Sequence, residues 1–233
     1  MAEEIIVTHG CTHLSGTVRV SGAKNSALKL IAAALLGQGK SVLHNVPNIS
    51  DIDIMIEVLK SLGASVERTG HTIAIDTANA TGFETPYELV SKMRASISIL
   101  GPLIGRFGKA RVAMPGGCKI GARKIDMHLS VLEALGVSFV NDHGYLYASS
   151  PDGLHAAKVF LDFPSVGATE NMLMASVTTE GTTVIDNAAR EPEIVDLANM
   201  LNEMGACVQG AGTSTIVVHG VALSDMHPCE HWV

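Results

Sequence analysis

Hydrophobic and polar positions along this chain fall into a pattern that occurs three times. Leu59-Lys-Ser-Leu62-Gly63-Ala-Ser-Val66, Leu132-Glu-Ala-Leu135-Gly136-Val-Ser-Phe139 and Leu201-Asn-Glu-Met204-Gly205-Ala-Cys-Val208 share one design. Each reads as the end of an amphipathic helix, a glycine in a left-handed cap, and the start of a strand. The glycines Gly63, Gly136 and Gly205 recur at intervals of 73 and 69 residues. The upstream halves repeat too. Asn25–Leu36, Arg94–Ile104 and Thr169–Val177 predict apolar helices. Each is followed by a glycine-bearing turn and a strand, at Ser41–Asn45, Ala110–Met114 and Thr182–Asn187. Strands at Thr72–Asp76, Tyr145–Ala148 and Thr215–Val218 close the units. Self-similar units stack around a shared core, so the pattern predicts an α/β fold of three repeated helix-strand units with pseudo-threefold symmetry.

The repeats differ in one place. Asn45 to Gly63 and Asn187 to Gly205 each span 18 residues, whereas Pro115 to Gly136 spans 21. The three extra residues fall within Pro115-Gly-Gly-Cys118-Lys-Ile-Gly121-Ala-Arg123. A loop lengthened in one copy of three is a candidate functional site. Its glycines and proline oppose regular structure and let backbone approach a ligand. Lys119 and Arg123 supply the positive surroundings that make a thiol such as Cys118 reactive. A small residue in a surface turn is the competing reading.

Other candidates stand at helix starts. Ser21-Gly-Ala-Lys24-Asn25-Ser26 precedes the first apolar helix, with Asn25 and Ser26 as candidate N-caps. Free N–H groups there, with Lys24 beside them, suit a phosphate or carboxylate; an ordinary capped helix with a solvated lysine is the alternative. Arg94 opens the equivalent helix of the second unit. A cation there opposes the helix dipole unless an anion binds too, and an exposed arginine is the bland alternative. Asp126 is read as a cap or ion-pair partner, and His128 as polar surface or a ligand contact. Asp51, Asp53, Glu191 and Glu193 are acids of the kind that suit helix starts. His227-Pro-Cys229-Glu-His231 alternates like a zinc site, but four well-held ligands are wanted there, so no metal is expected.

Composition narrows the classes. The 233 residues are 47% hydrophobic, 17% charged and only 4% aromatic, so aliphatic residues and Met must fill one large core or two modest ones. Net charge is −7 with no basic stripe, which argues against a nucleic-acid partner. The start Met1-Ala-Glu-Glu is acidic and no apolar run follows it, unlike a secretory signal. The longest apolar stretch, Leu28 to Leu36, is interrupted by Lys29 and is far short of the roughly 20 residues that span a bilayer. A cytoplasmic location is expected, with no membrane partner. Cys11, Cys118, Cys207 and Cys229 lack paired spacing and read as free thiols.

Five motifs occur in one order: Ser21-Gly-Ala-Lys-Asn25, Arg94-Ala-Ser96, Pro115 to Arg123, Ser165-Val-Gly-Ala-Thr169 and Ala189-Arg-Glu-Pro-Glu193. Together, over essentially the whole chain, they resemble the UDP-N-acetylglucosamine enolpyruvyl transferase family. The resemblance implies an inside-out α/β barrel-type fold of two domains, each of three units, and no cofactor. It implies transfer of the enolpyruvyl group of phosphoenolpyruvate to the 3-hydroxyl of UDP-N-acetylglucosamine, with release of phosphate, as the first committed step of peptidoglycan precursor synthesis. Lys24, Asn25 and Arg123 would meet phosphoenolpyruvate. Asn25, Arg94, the stretch Arg123, Lys124, Ile125, Asp126 and Met127, and the stretch Phe163, Pro164, Ser165 and Val166 would meet the nucleotide sugar. Phe163 stands where some members have a lysine. Cys118 would protonate the phosphoenolpyruvate methylene and be alkylated by fosfomycin.

The family's chain is nearly twice as long. Residues 1–21 are accordingly expected to be a leading strand belonging to an absent second domain. Residues 22–233 would form the three-repeat domain, with units at about 22–90, 91–163 and 164–222. The absent half would bring the aspartate base and further arginines, so this chain alone is expected to be inactive. Two alternatives stay open: a non-catalytic binding domain that retains the fold, and a shikimate-3-phosphate enolpyruvyl transferase relative, against which the Cys118 loop argues.

Overall fold

The computed structural model describes residues 5–10, 13–90, 94–114 and 125–233, with the side chains of Val90 and Arg94 to Ser96 outside that set. The first unit runs α1 (Lys24–Ala33), a 3-10 turn (Ala34–Leu36), β1 (Lys40–His44), α2 (Ser50–Ser61), β2 (Ser65–Thr69) and β3 (Thr72–Asp76). The second runs α3 (Tyr87–Val90), a 3-10 turn (Arg94–Ile99), α4 (Leu100–Phe107), β4 (Lys109–Ala113), α5 (Asp126–Ala134), β5 (Ser138–Asp142), β6 (Tyr145–Ser149) and β7 (Lys158–Phe160). The third runs α6 (Val166–Ser176), β8 (Thr182–Asp186), α7 (Pro192–Glu203), β9 (Cys207–Gln209), β10 (Thr215–His219), a 3-10 turn (Leu223–Asp225) and β11 (Glu230–Trp232).

The fold is inside-out: helices fill the centre and three small sheets face outward. Residues of α1 from Ser26 to Ala33 and of α6 from Ala168 to Ser176 are all buried. A helix apolar nearly all round must be covered on every side, and here neighbouring helices do the covering. α1 lies against α2 and α7, and α6 against α4, α5 and α7. The outer helices α2 and α7 bury one stripe each. The predicted cap glycines hold positive φ values of +94°, +95° and +102° at Gly63, Gly136 and Gly205. In each the next residue's N–H reaches back into the helix, as from Ala64 to the Leu59 carbonyl.

Within each sheet the unit's three strands pair antiparallel in the same order, β1-β3-β2, β4-β6-β5 and β8-β10-β9. Two sheets gain a parallel edge strand from another unit. β7 joins β8, and β11 joins β1. Among the described residues the second sheet receives a single parallel bridge, Glu84 to Arg111. β11 ends the third unit and pairs in the first, so the chain returns on itself and closes the ring of units. The sheets remain separate, and no closed barrel forms among the described residues.

Several sequence expectations need correction. The helix expected over Arg94–Ile104 is a 3-10 turn to Ile99 and an α-helix only from Leu100. Pro102 is the reason: in an α-helix its ring would meet the carbonyl of Ser98 four residues back, but it is tolerated in a first turn. Asn25 and Ser26 do not cap α1. Its N-cap is the extended residue Ala23, with no side-chain bond. The Ser26 hydroxyl donates to Asp196 instead. Residues 5–10 and 13–23, expected as far as 21 to belong to a second domain outside this chain, form no helix or strand here, which leaves that expectation untested, and Ile5, Ile6, Val7, Leu14, Val18 and Val20 are exposed. The inserted loop is also longer than the motif count implied. Gly63 lies 19 positions beyond His44 and Gly205 19 beyond Asp186, but Gly136 lies 23 beyond Ala113. The first and third units also spend one residue on a left-handed asparagine, Asn45 (φ 59°) and Asn187 (φ 56°). The amide of each donates to the incoming segment, at Val233 O (3.1 Å) and Leu161 O (2.8 Å).

The returning strand β11 is held by a charged clamp. His231 is buried, with Nε2 3.0 Å from Asp196 Oδ1 and Nδ1 2.7 Å from Glu203 Oε2, both on α7. The bond to Asp196 pushes the imidazole above its ordinary value of 6.5; burial opposes this and Glu203 adds to it. Burial pulls the Asp196 carboxyl up, but bonds from His231 and Ser26 outweigh it and hold the group low. A raised imidazole contributes stability that is complete below 6.5 and is lost as pH rises through its folded value. Replacing His231 by leucine should therefore cost roughly 1–3 kcal/mol at pH 6. It should also remove the alkaline loosening of residues 230–232, read by amide exchange against pH; an unchanged profile would refute the clamp.

Candidate functional site

The sequence candidates sit at the N-terminal ends of inner helices and of α5. Lys24 and Asn25 are the first two residues of α1 and are exposed. Arg94 opens the 3-10 turn that feeds α4. Ile125 precedes α5, Asp126 starts it exposed, and Met127 is half-buried. Phe163 and Pro164 are exposed on the approach to α6. Ser165 is its N-cap, with Oγ accepting from Ala168 N at 3.4 Å, and Val166 is half-buried. Cys118, Arg123 and Lys124 lie outside the described residues.

One turn inside these ends the three units meet in a polar layer. Lys29 of α1 reaches Glu170 Oε1 of α6 at 3.2 Å, and Ser98 from the 3-10 turn donates to Glu170 Oε2 at 3.5 Å. All three residues are buried. Lys29 follows Lys24 by five positions, Ser98 follows Arg94 by four, and Glu170 follows Val166 by four. A helix advances about 1.5 Å per residue, so this layer ties together three segments that bear candidate ligand contacts. Burial pushes the Glu170 carboxyl up to about 7; Lys29 pulls it down, Glu193 pushes it up, and Ser98 pulls it down slightly.

Charge is distributed unevenly among the helix starts. The first turns of α2, α5 and α7 carry acids, but those of α1, α4 and α6 carry none. The partial positive charge at the inner helix ends is thus left for something else to meet. Two partners escaped the sequence reading because they are distant in the chain. Lys24 Nζ lies 2.7 Å from Asp51 Oδ2, so an acid read as a helix-start residue is the lysine's partner. Asn25 Nδ2 faces Glu193 Oε1 at 3.5 Å, a weak contact at that length. A cleft of about 740 Å³ opens beside them, with Ala23, Ser26, Arg190, Glu193, Asp196 and Asn199 in its wall. In the tail, His231 is taken by α7, and burial pushes the Cys229 thiol up to about 11. No group of three metal-binding side chains occurs among the described residues. Cys207 and Cys229 are free thiols. No helix among the described residues is long and apolar enough to cross a membrane.

This arrangement of helix ends and polar layer sits in a chain whose residues 8–233 match the family model for EPSP synthase (3-phosphoshikimate 1-carboxyvinyltransferase). The chain belongs to the EPSP synthase family. Its sequence relatives within reach include UDP-N-acetylglucosamine 1-carboxyvinyltransferase 2 of Carboxydothermus hydrogenoformans, 51% identical over 99% of this chain and 54% of that protein. The UDP-N-acetylglucosamine 1-carboxyvinyltransferase of Corynebacterium jeikeium is 52% identical over 100% of this chain and 55% of its own length. The chain thus spans about half the length of the curated relatives it matches. Among solved structures, the enolpyruvyl transferase NikO from Streptomyces tendae superposes with a TM-score of 0.84 at 26% identity, over 97% of this chain and 53% of that one. An EPSP synthase from Acinetobacter baumannii shares the fold, with a TM-score of 0.72 at 16% identity over 94% of this chain and 49% of its own. EPSP synthase family membership accounts for the inside-out arrangement, since its solved members share it with this chain.

Proposed function

We propose that this chain is the cysteine-loop half of a UDP-N-acetylglucosamine enolpyruvyl transferase. The enzyme moves the enolpyruvyl group of phosphoenolpyruvate to the 3-hydroxyl of UDP-N-acetylglucosamine and releases phosphate, the entry step of peptidoglycan precursor synthesis. The observation that carries this reading is the junction of three helix starts, bearing Lys24 with Asn25, Arg94, and Ser165 with Val166, on the single Lys29–Ser98–Glu170 layer. About 50% identity to proteins of that name supports it further.

Each group has a physical task in this scheme. Lys24 and the amides of α1 meet the phosphate or carboxylate of phosphoenolpyruvate, and an incoming anion competes with Asp51 for the ammonium. Arg94, residues 123–127 and residues 163–166 take the nucleotide sugar, with Arg123 near the phosphate as well. Phe163 offers an exposed apolar face at this point. The addition step protonates the methylene carbon of phosphoenolpyruvate and removes a proton from the sugar hydroxyl, so acid and base must be held on opposite reactants; the tetrahedral intermediate then expels phosphate and returns a methyl proton, restoring the double bond. Cys118 is the acid. The base and the remaining cations belong to a second domain outside this chain, together with which residues 1–21 pack. Fixed cations around the tetrahedral intermediate stabilise its phosphate and carboxylate.

Two measurements test the proposal. Calorimetry should show the chain binding UDP-N-acetylglucosamine in preference to shikimate 3-phosphate; the reverse preference would overturn the substrate assignment. Phosphate release from phosphoenolpyruvate and UDP-N-acetylglucosamine should be negligible for the 233 residues alone. Addition of a second domain should restore it, in a form that Cys118→Ala abolishes. Full turnover by the chain alone would show that its own residues complete the site.

A further inference from the structure

The stretches 125–127 and 163–166 belong to different units, and one buried amide connects them. Asn171 in α6 is wholly buried, and its side chain is fully engaged. Oδ1 accepts from Gly101 N at 2.7 Å; Nδ2 donates to Ile97 O at 3.3 Å and faces His128 Nδ1 at 2.8 Å. Because Oδ1 is committed to an N–H donor, the amide orientation is set, and its NH2 group must point at the histidine. His128 Nδ1 is therefore an acceptor, and the ring proton sits on Nε2. The ring itself packs over Gly167. A methyl group there would stand 2.7 Å from Nε2 and closer still to Cε1. His128 directly follows Met127, and Gly167 directly follows Val166.

We propose that His128 and Asn171 are positioning residues that hold 125–127 and 163–166 as one nucleotide-sugar-binding face. The same amide secures the turn behind Arg94 through Ile97 and Gly101. This inference rests on the function proposed above for those stretches. The notch at Gly167 is what lets the ring reach across, and the fixed amide is what selects its tautomer. Both determine where residues 125–127 and 163–166 stand.

The test compares Gly167→Ala, His128→Asn and the double variant, all in the 233-residue chain. An asparagine places its amide atom where the histidine has Nδ1, so it keeps a partner for Asn171 but gives up the ring over Gly167. Gly167→Ala should displace the ring and speed amide exchange in both 125–129 and 165–169 by roughly tenfold. It should weaken UDP-N-acetylglucosamine binding by about tenfold or more. His128→Asn alone should be mild, and the double variant should recover both slow exchange and binding. Long-range proton–nitrogen spectra of the starting protein should show Nδ1 bare and Nε2 protonated. The proposal is overturned if Gly167→Ala loosens only one stretch, if the double variant is no better than the single, or if Nδ1 carries the proton. If the starting protein takes no UDP-sugar, the functional reading fails, while exchange in the two stretches still decides the positioning role.

Discussion

Replacing Arg106 by methionine should destabilise the fold by roughly 3–5 kcal/mol, although Arg106 touches no candidate ligand contact. Its guanidinium is half-buried at the end of α4. Nη1 donates to Leu35 O (2.5 Å) and Gly37 O (3.2 Å), and Nη2 donates to Thr77 O (3.0 Å) and Ala80 O (3.3 Å). These carbonyls end the first inner helix and the first sheet, so one side chain of the second unit completes the backbone bonding of the first. Burial holds the guanidinium below its ordinary value, but it stays charged at any working pH. Methionine preserves most of the length but removes the donor to Leu35 O and Ala80 O, whereas Gly37 O keeps Thr77 Oγ1 and Thr77 O keeps Ala80 N; each unpaired carbonyl is costly when buried. Lysine restores charge but not the fork, and should recover only part of the loss. Guanidinium-induced unfolding monitored by circular dichroism measures both. A loss under about 1 kcal/mol for the methionine variant would mean that water replaces the guanidinium and that this joint between units is weak.

Lys29→Met should be the other large effect, and it should depend on pH. The pair it breaks is buried between α1 and α6, and removing one partner of such a pair costs about 3–5 kcal/mol. Glu170 already sits at about 7 in the folded chain, against an ordinary 4.5. A carboxyl raised on folding contributes stability that is fully present below 4.5 and is lost as pH climbs through 7. One such proton gives a slope of about 1.4 kcal/mol per pH unit at most, so roughly 3 kcal/mol across that window. Glu170→Gln should flatten this slope, because an amide needs no proton. Lys29→Met should carry the decline to higher pH at no more than that slope, since the cation that favours ionised Glu170 is gone. Thermal unfolding at several pH values between 5 and 8 checks both variants. A Glu170→Gln protein with the parent's slope would assign the dependence to other groups.

These joints show where local reading stops. The cap glycines and the apolar inner helices were legible because each depends on a few neighbouring residues. Gly63, Gly136 and Gly205 terminate helices wherever those helices lie, and a largely apolar helix must be buried in any compact fold. The motif residues at helix starts were legible for the same reason, and by resemblance. Yet Ser26, read as a cap, bonds Asp196 some 170 positions away. Asp51, read as a dipole partner, holds Lys24 across the first unit. Polar side chains such as these have several acceptable partners, and only the approach of distant elements selects one.

By itself, then, the sequence determined the threefold repeat, the order helix-strand-helix-strand-strand within it, and the helix starts on which the candidate chemistry lies. Short-range sterics and hydrophobic periodicity suffice for those. Tertiary structure alone decided that β7 and β11 cross to the next unit's sheet, because three-residue strands carry too little pattern to announce a partner. It alone decided that Arg106 closes another unit's carbonyls, that Lys29, Ser98 and Glu170 share one layer, and that His128 fits over Gly167. Each of these joins residues tens of positions or more apart, and burial makes the pairing compulsory once the helices have packed.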